Sequence, residues 1–190
     1  MKILITGSTG LARNISDTFT STPFAGGMNI VNEARIEDLM LWEDWEWQEY
    51  DVFINNAFGA PFDQCDLLEK SFNAYRHDMK KIIINISSRA SQPNISKGYK
   101  YAAAKAALNH MSNNYTYNSD KKCKITTMNL GLINHELPSL SYQSISNAIW
   151  YLATSYPDIE IPEVTMQAHA NYNEVQSDKE TLRDMERFTK

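Results

Sequence analysis

The sequence predicts an α/β fold of three layers, with helices on both faces of a mostly parallel sheet. Three observations carry this. Short apolar runs alternate with helix-like segments along most of the chain, an order that implies parallel strands joined by right-handed crossovers. A glycine-rich turn directly follows the first apolar run. Gly7, Asn55, Ser88 and Gly131 each stand at the end of such a run, and ligands in sheets of this kind sit beyond the carboxyl ends of the strands.

Taken in order, Lys2 to Ile5 reads as a short buried strand. Thr6-Gly7-Ser8-Thr9-Gly10-Leu11-Ala12-Arg13 follows it, and Asn14 to Thr20 continues as a helix. Strand, glycine turn and helix start is the context in which glycines let the backbone approach a pyrophosphate. The bland alternative is a tight turn that binds nothing. No Gly-Lys-Ser or Gly-Lys-Thr closes the turn, so it is not a P-loop. Pro23 to Gly27 is a loop, Met28 to Val31 a weak second strand, and Ile36 to Tyr50 a helix. Trp42, Trp45 and Trp47 lie close together on it, reading best as packing against the sheet, with an aromatic cage or a subunit contact as the alternatives. Asp51 to Ile54 is a strand ending in Asn55-Asn56-Ala57, and Leu67 to Met79 a helix. Ile82 to Ile86 is a central strand interrupted by Asn85, which needs hydrogen-bond partners there. Tyr99 to Asn114 is an alanine-rich helix, Ile125 to Leu130 a strand, Ser144 to Tyr156 an amphipathic helix, and Val164 to Ala168 a last strand.

With 190 residues, the chain suits one domain over residues 1–170, followed by a polar tail over 171–190 with a short helix from Lys179 to Arg187. A net charge of -5 with no basic stripe argues against a nucleic-acid partner. Cys65 and Cys123 are too few and too far apart for a disulfide framework, and four scattered histidines offer no metal-ligand spacing. No apolar run approaches membrane-spanning length, and Met1 leads straight into a strand. The expectation is a cytoplasmic protein with no membrane and no metal.

Tyr101-Ala102-Ala103-Ala104-Lys105 holds the most pointed chemistry. Four residues apart on a helix, the tyrosine and lysine share a face. An ammonium beside a phenol favours the phenolate, which suits a proton donor and acceptor near neutral pH. Alone, that spacing is a weak signal. Its weight comes from convergence, because the parallel order brings Ser88 and the glycine turn to the same sheet edge.

Five motifs in this order resemble the short-chain dehydrogenase/reductase family, over residues 1 to about 168: the Thr6-Gly7-Ser8-Thr9-Gly10 turn, Asn55-Asn56-Ala57, Ser88 thirteen residues before Tyr101, Lys105, and Asn129-Leu130-Gly131. The resemblance implies a Rossmann-like sandwich and an NAD(P)-dependent oxidoreductase acting on a carbonyl/alcohol pair. It implies that Tyr101 exchanges a proton with the substrate oxygen and that Ser88 hydrogen-bonds that oxygen. Lys105 would favour the Tyr101 phenolate and hold the nicotinamide ribose. Gly7, Ser8, Thr9, Gly10 and Leu11 would border the pyrophosphate and adenosine. Asn55 and Ala57 would line the cofactor path, with Gly131 and Leu132 beside the nicotinamide. A homo-oligomer, dimer or tetramer, is implied as well.

The chain also departs from the family pattern. It is short, with one strand–helix unit shortened or missing between the glycine turn and Asn55. The ribose partner is Glu33 or Arg35, and Arg13 stands where the last glycine of the loop is usual. Arg35 and Arg13 tilt the expected cofactor slightly toward NADP over NAD. Asn73 is too near Ser88 in sequence for the family's catalytic asparagine and takes no role. Phe58 replaces a glycine and either packs near the cofactor or displaces it. Ile133 to Ser141 makes a short lid, in which His135 and Glu136 read as a solvated pair. The alternatives are a non-catalytic or regulatory dinucleotide-binding protein, or a scaffold using a degenerate Rossmann fold.

Overall fold

The computed structural model describes residues 1–22, 27–93, 98–134, 138–154 and 158–169. Its element order is β1 (Lys2–Thr6), α1 (Leu11–Ser21), β2 (Ile30–Ala34), α2 (Ile36–Leu39), α3 (Asp44–Trp47), β3 (Val52–Asn55), α4 (Asp63–Tyr75), β4 (Ile82–Ser88), a 3-10 turn (Arg89–Ser91), α5 (Tyr99–Thr116), β5 (Lys124–Leu130), α6 (Tyr142–Thr154) and β6 (Glu163–Met166). The strands form one six-stranded sheet in the order β2-β1-β3-β4-β5-β6, and every pairing is parallel. The predicted three-layer sandwich is therefore present.

Both sheet faces are apolar because alternate residues of each strand feed different layers. Leu4, Phe53, Ile83 and Ile125 point to the side covered by α4 and α5. Ile3, Ile5, Val52, Ile54, Ile84, Ile86 and Met128 point to the side covered by α1 and α6. All eleven are at or below 5% exposure. Each such side chain contributes about 2 kcal/mol on burial, whereas a surface ion pair gives about 0–1 kcal/mol. Apolar layering therefore holds the sheet together.

Sequence and structure part between β2 and β3. The single helix expected from Ile36 to Tyr50 is two separate turns, α2 and α3. The break has a local cause. The Glu46 carboxylate accepts from the Glu43 backbone N–H at 2.8 Å, completing a reciprocal capping box that starts a new helix. The break also lets Trp47 turn inward, fully buried with its ring edge-on to Phe53 at 4.9 Å. Trp42 meets Trp47 edge-on and stacks on Tyr50. Trp42 and Trp47 are thus packing residues, while Trp45 is exposed. No strand forms between β2 and β3.

Smaller shifts concern boundaries. α4 begins four residues earlier than the apolar pattern suggests, and β2 lies two residues later. Residues 170–190 lie outside the described residues, so the expected tail helix is not part of this description; the same holds for His135 and Glu136. Among the described residues no helix is long and apolar enough to cross a membrane, and no cluster of His, Cys, Asp or Glu could hold a metal ion.

Candidate functional site

From β1 the chain goes out to β2, then returns to β3 on the other side of β1. The reversal leaves a crevice between the ends of β1 and β3, where parallel sheets bind ligands. Thr6 stitches the two ends together. Its hydroxyl oxygen accepts from the backbone N–H groups of Asn56 and Ala57, both at 2.8 Å, and the Asn56 side chain donates to Thr6 O at 3.1 Å. Gly7 then turns with φ +93° and Gly10 with φ +55°, conformations that disfavour a β-carbon. A β-carbon on Gly7 would sit 3.5 Å from the methyls of Ala12 and Ala57. α1 starts at Leu11 with no side-chain cap and no acidic residue in its first turn, so its positive end is not neutralised locally.

Two hollows flank this turn. The larger, of about 600 Å³, is lined by Ser88, Tyr101, Lys105, Leu11, Gly131 and Leu132 among others. The smaller, of about 290 Å³, is lined by Gly7, Ser8, Glu33, Arg35 and Ala57 with their neighbours. Thr9 and Gly10 lie in the turn between them. Two of the candidate residues stand elsewhere. Asn55 is fully buried, and its amide donates to Gln64 O at 2.8 Å and Asn85 Oδ1 at 3.0 Å. Arg13 lies over α1 and β2, with its guanidinium 3.5 Å from Asp17 and 3.6 Å from Glu33.

One face of α5 presents polar groups to the sheet. Lys105, Asn109 and Ser112 recur at helical spacing toward the sheet, and each has buried or half-buried polar partners there. Asn109 takes the Ser87 hydroxyl at 2.5 Å and donates to Ser91 and to Asn129. Ser112 accepts from Asn85 at 3.3 Å and from Thr127 at 2.6 Å. These bonds answer the expectation that Asn85 needs partners, and they fix the rotation of α5. Tyr101, one turn before Lys105, is 37% exposed at the cleft wall.

Lys105 itself is 3% exposed. Its ammonium donates to Gln64 Oε1 at 2.6 Å and to Ile86 O at 2.7 Å. It lies 5.5 Å from the ring centroids of Tyr101 and Phe58. Burial pulls its pKa down to about 8, and the nearby Cys65 opposes this. Ser88 Oγ accepts from Ala90 N at 3.1 Å, while its proton points to Leu130 O at 3.4 Å. That second bond is long and readily exchanged for a ligand.

Phe58 packs edge-on against Tyr101 at 4.9 Å and lines the larger hollow. Asn73 is exposed on the outer face of α4, which agrees with giving it no role. Gly131 is held by its N–H to Met166 O at 2.8 Å. In the smaller hollow Arg35 is largely exposed, with Glu37 at 3.3 Å.

Sequence reasoning missed three residues. Gln64 was hidden in the polar run Asp63-Gln64-Cys65-Asp66, read as lying before the helix. Its spacing to Leu67, Leu68 and Ser71 would have placed it on the buried stripe. Arg89 follows Ser88 and lines the larger hollow, its guanidinium donating to Gln167 at 2.5 Å. Tyr142 brings its hydroxyl over Gly10, 3.2 Å from where a β-carbon would stand.

No protein-family model matches the chain, and no curated protein matches it in sequence. Solved structures match in shape. Serine dehydrogenase from Escherichia coli superposes with a TM-score of 0.72 at 19% identity, over 90% of this chain and 99% of that one. An alcohol dehydrogenase from Thermococcus sibiricus, complexed with 5-hydroxy-NADP, gives 0.68 at 13% identity over 90% and 97%. The 3-alpha-hydroxysteroid dehydrogenase from Pseudomonas sp. B-0831, complexed with NADH, gives 0.67 at 12% identity over 87% and 95%. At these identities the likeness establishes a shared fold: the chain is a six-stranded, Rossmann-like α/β sandwich.

Proposed function

We propose that the protein is an NAD(P)-dependent oxidoreductase of the short-chain dehydrogenase/reductase type, acting on a small carbonyl/alcohol pair. The observation that carries this is the gathering of Ser88, Tyr101 and Lys105 on one cleft at the carboxyl ends of the strands, next to the glycine turn.

The residues present fit a dinucleotide. The positive-φ glycines leave the turn without side chains, the start of α1 carries no competing acid, and a hollow opens on either side. Gly7, Ser8 and Arg35 would hold the adenosine end, Thr9, Gly10 and Leu11 the pyrophosphate, and Lys105, Gly131 and Leu132 the nicotinamide end. When bound, the nicotinamide supplies or accepts the hydride. Asn55 serves this reading through the scaffold, because its side-chain amide donates to Gln64 and Asn85. Arg13 and Arg35 are exposed arginines that face Asp17, Glu37 and the half-buried Glu33, and such surface pairings cost little to exchange for a phosphate. This keeps the slight preference for NADP.

The chain's own groups then have distinct tasks. The Tyr101 hydroxyl gives its proton to the substrate oxygen in reduction and takes it back in oxidation. The Ser88 hydroxyl turns from Leu130 O toward the same oxygen and stabilises the charge developing there. The Lys105 cation stands 5.5 Å from the centre of the Tyr101 ring, where it would hold the nicotinamide ribose. Leu11, Phe58, Leu130 and Ile133 supply the apolar lining that displaces water.

The test is turnover by wild type and Tyr101→Phe in a screen of small aldehydes, ketones and alcohols with NADPH or NADP. Turnover lost in the variant with nucleotide binding kept supports the reading. Nucleotide binding with no turnover in either protein favours a binding protein, a reading that the reduced unit between β2 and β3 makes specific. The expected dimer or tetramer is checked by light scattering, and a monomer at every concentration contradicts it.

A further inference from the structure

Gln64 makes more buried contacts than any role assigned so far explains. It is the second residue of α4 and 4% exposed. Its Nε2 donates to Asn55 O at 2.8 Å and to Ile86 O at 3.2 Å. Its Oε1 accepts from Lys105 Nζ at 2.6 Å. Chemistry fixes the orientation of this amide: an ammonium only donates and a carbonyl only accepts, so the opposite flip would lose all three bonds. Both carbonyls belong to strands that end at the crevice, β3 and β4. The backbone of Gln64 is tied in too, through Asn55 Nδ2 to Gln64 O at 2.8 Å.

We infer that Gln64 is a positioning residue for Lys105, taking one of the three ammonium donors so that the lysine enters the cleft in one orientation with a single donor left for a ligand hydroxyl. Ile86 O takes the second donor. The third lies on the side of Phe58 and Tyr101, whose rings flank the ammonium at 5.5 Å. This inference rests on the reading of Lys105 as part of a reaction site only for its consequence in catalysis. The geometric claim stands without it.

A neutral amide suits the task. It offers the cation an acceptor without neutralising it, so burial keeps Lys105 depressed to about 8. A glutamate at the same place would hold the proton on, and an apolar residue would let it go more easily. Cys65 on α4 bears on this titration, and Tyr101 on α5, Arg89 in the turn after β4 and Tyr142 on α6 are the titratable groups that line the same hollow as Lys105 among the described residues. Burial pushes the Cys65 thiol up in turn, with Asp66 adding to this and Lys105 opposing it.

The experiment uses the cofactor-free full chain carrying [13Cε]lysine, with the Lys105 signal identified by its loss in Lys105→Arg. Its titration midpoint is read in wild type, Gln64→Glu and Gln64→Leu. The expected result is a midpoint about one unit higher in Gln64→Glu and about one unit lower in Gln64→Leu. If Gln64→Leu does not fold, Gln64→Glu, closest in shape, carries the test. An unmoved midpoint in the folded variants overturns the inference. Where turnover is measurable, the alkaline limb of kcat/KM moves the same way. A Lys105 midpoint that moves in a protein binding no nucleotide would retain Gln64 as the lysine's holder while removing the oxidoreductase reading.

Discussion

The two hollows beside the glycine turn are built by opposite means. The larger rests on central strands and on α5, and its polar groups are tied together in the interior: Gln64 with Lys105, Asn55 with Asn85, Asn85 with Ser112, and Asn109 with Ser87 and Asn129. The smaller rests on the edge strand β2 and the single turn α2, and its charges pair at the surface, with Arg13 and Arg35 exposed and Glu33 half-buried. Buried hydrogen bonds fix direction, because breaking one leaves a polar group unpaired in the interior. Exposed pairs fix little and exchange readily with ions. A proton-transfer group must be aimed, whereas a phosphate or ribose need only be met. On the proposed reading, the fixed groups serve the first task and the loose ones the second.

Tyr101→Phe probes that contrast with the largest effect. It should lower kcat by about 10²–10⁴-fold and leave the nucleotide dissociation constant unchanged; retained turnover would separate the aimed tyrosine from the chemistry. Stability offers a second comparison. Asn109→Ala strips partners from Ser87, Ser91 and Asn129 and should cost about 1–3 kcal/mol in urea unfolding. Arg13→Ala, which removes only surface pairings to Asp17 and to Glu33 of the smaller hollow, should stay within about 0.5 kcal/mol. Equal costs would erase the distinction between the two hollows.

The pH dependence sharpens the first hollow further. The unfolded chain holds the Lys105 proton up to about 10.5, while the folded chain releases it near 8. Between these values the unfolded state binds more protons, so this lysine's share of stability rises with pH across that window. Urea midpoints of wild type against Lys105→Met should diverge there. The same deprotonation should give kcat/KM an alkaline limb near 8. The smallest effect belongs to the second hollow: Arg35→Ala should weaken NADPH about tenfold and leave NADH unaltered, as measured by calorimetry.

Much of this architecture is legible in the sequence because it rests on period and punctuation. The apolar runs mark all six strands, and the residues after four of them gather at one edge. Ser88, Tyr101 and Lys105 line one hollow because helix spacing and strand ends determine where they go. What escaped depends on partners far apart in sequence. Nothing local to Gln64 says that it will meet Lys105, 41 residues on. Ile36 to Tyr50 carries helix-like periodicity, yet a capping box and the burial of Trp47 divide it. Asn55 stood at the right strand end, but its side chain answers to Asn85, a pairing set by the register of β3 on β4.

The most direct measurement is a calorimetric titration of the purified chain with NADPH and with NADH. A working dinucleotide crevice predicts micromolar binding, tighter for NADPH. No heat of binding for either nucleotide up to millimolar concentration would contradict the account, and would leave the cluster of Ser88, Tyr101 and Lys105 without the cofactor that its chemistry requires.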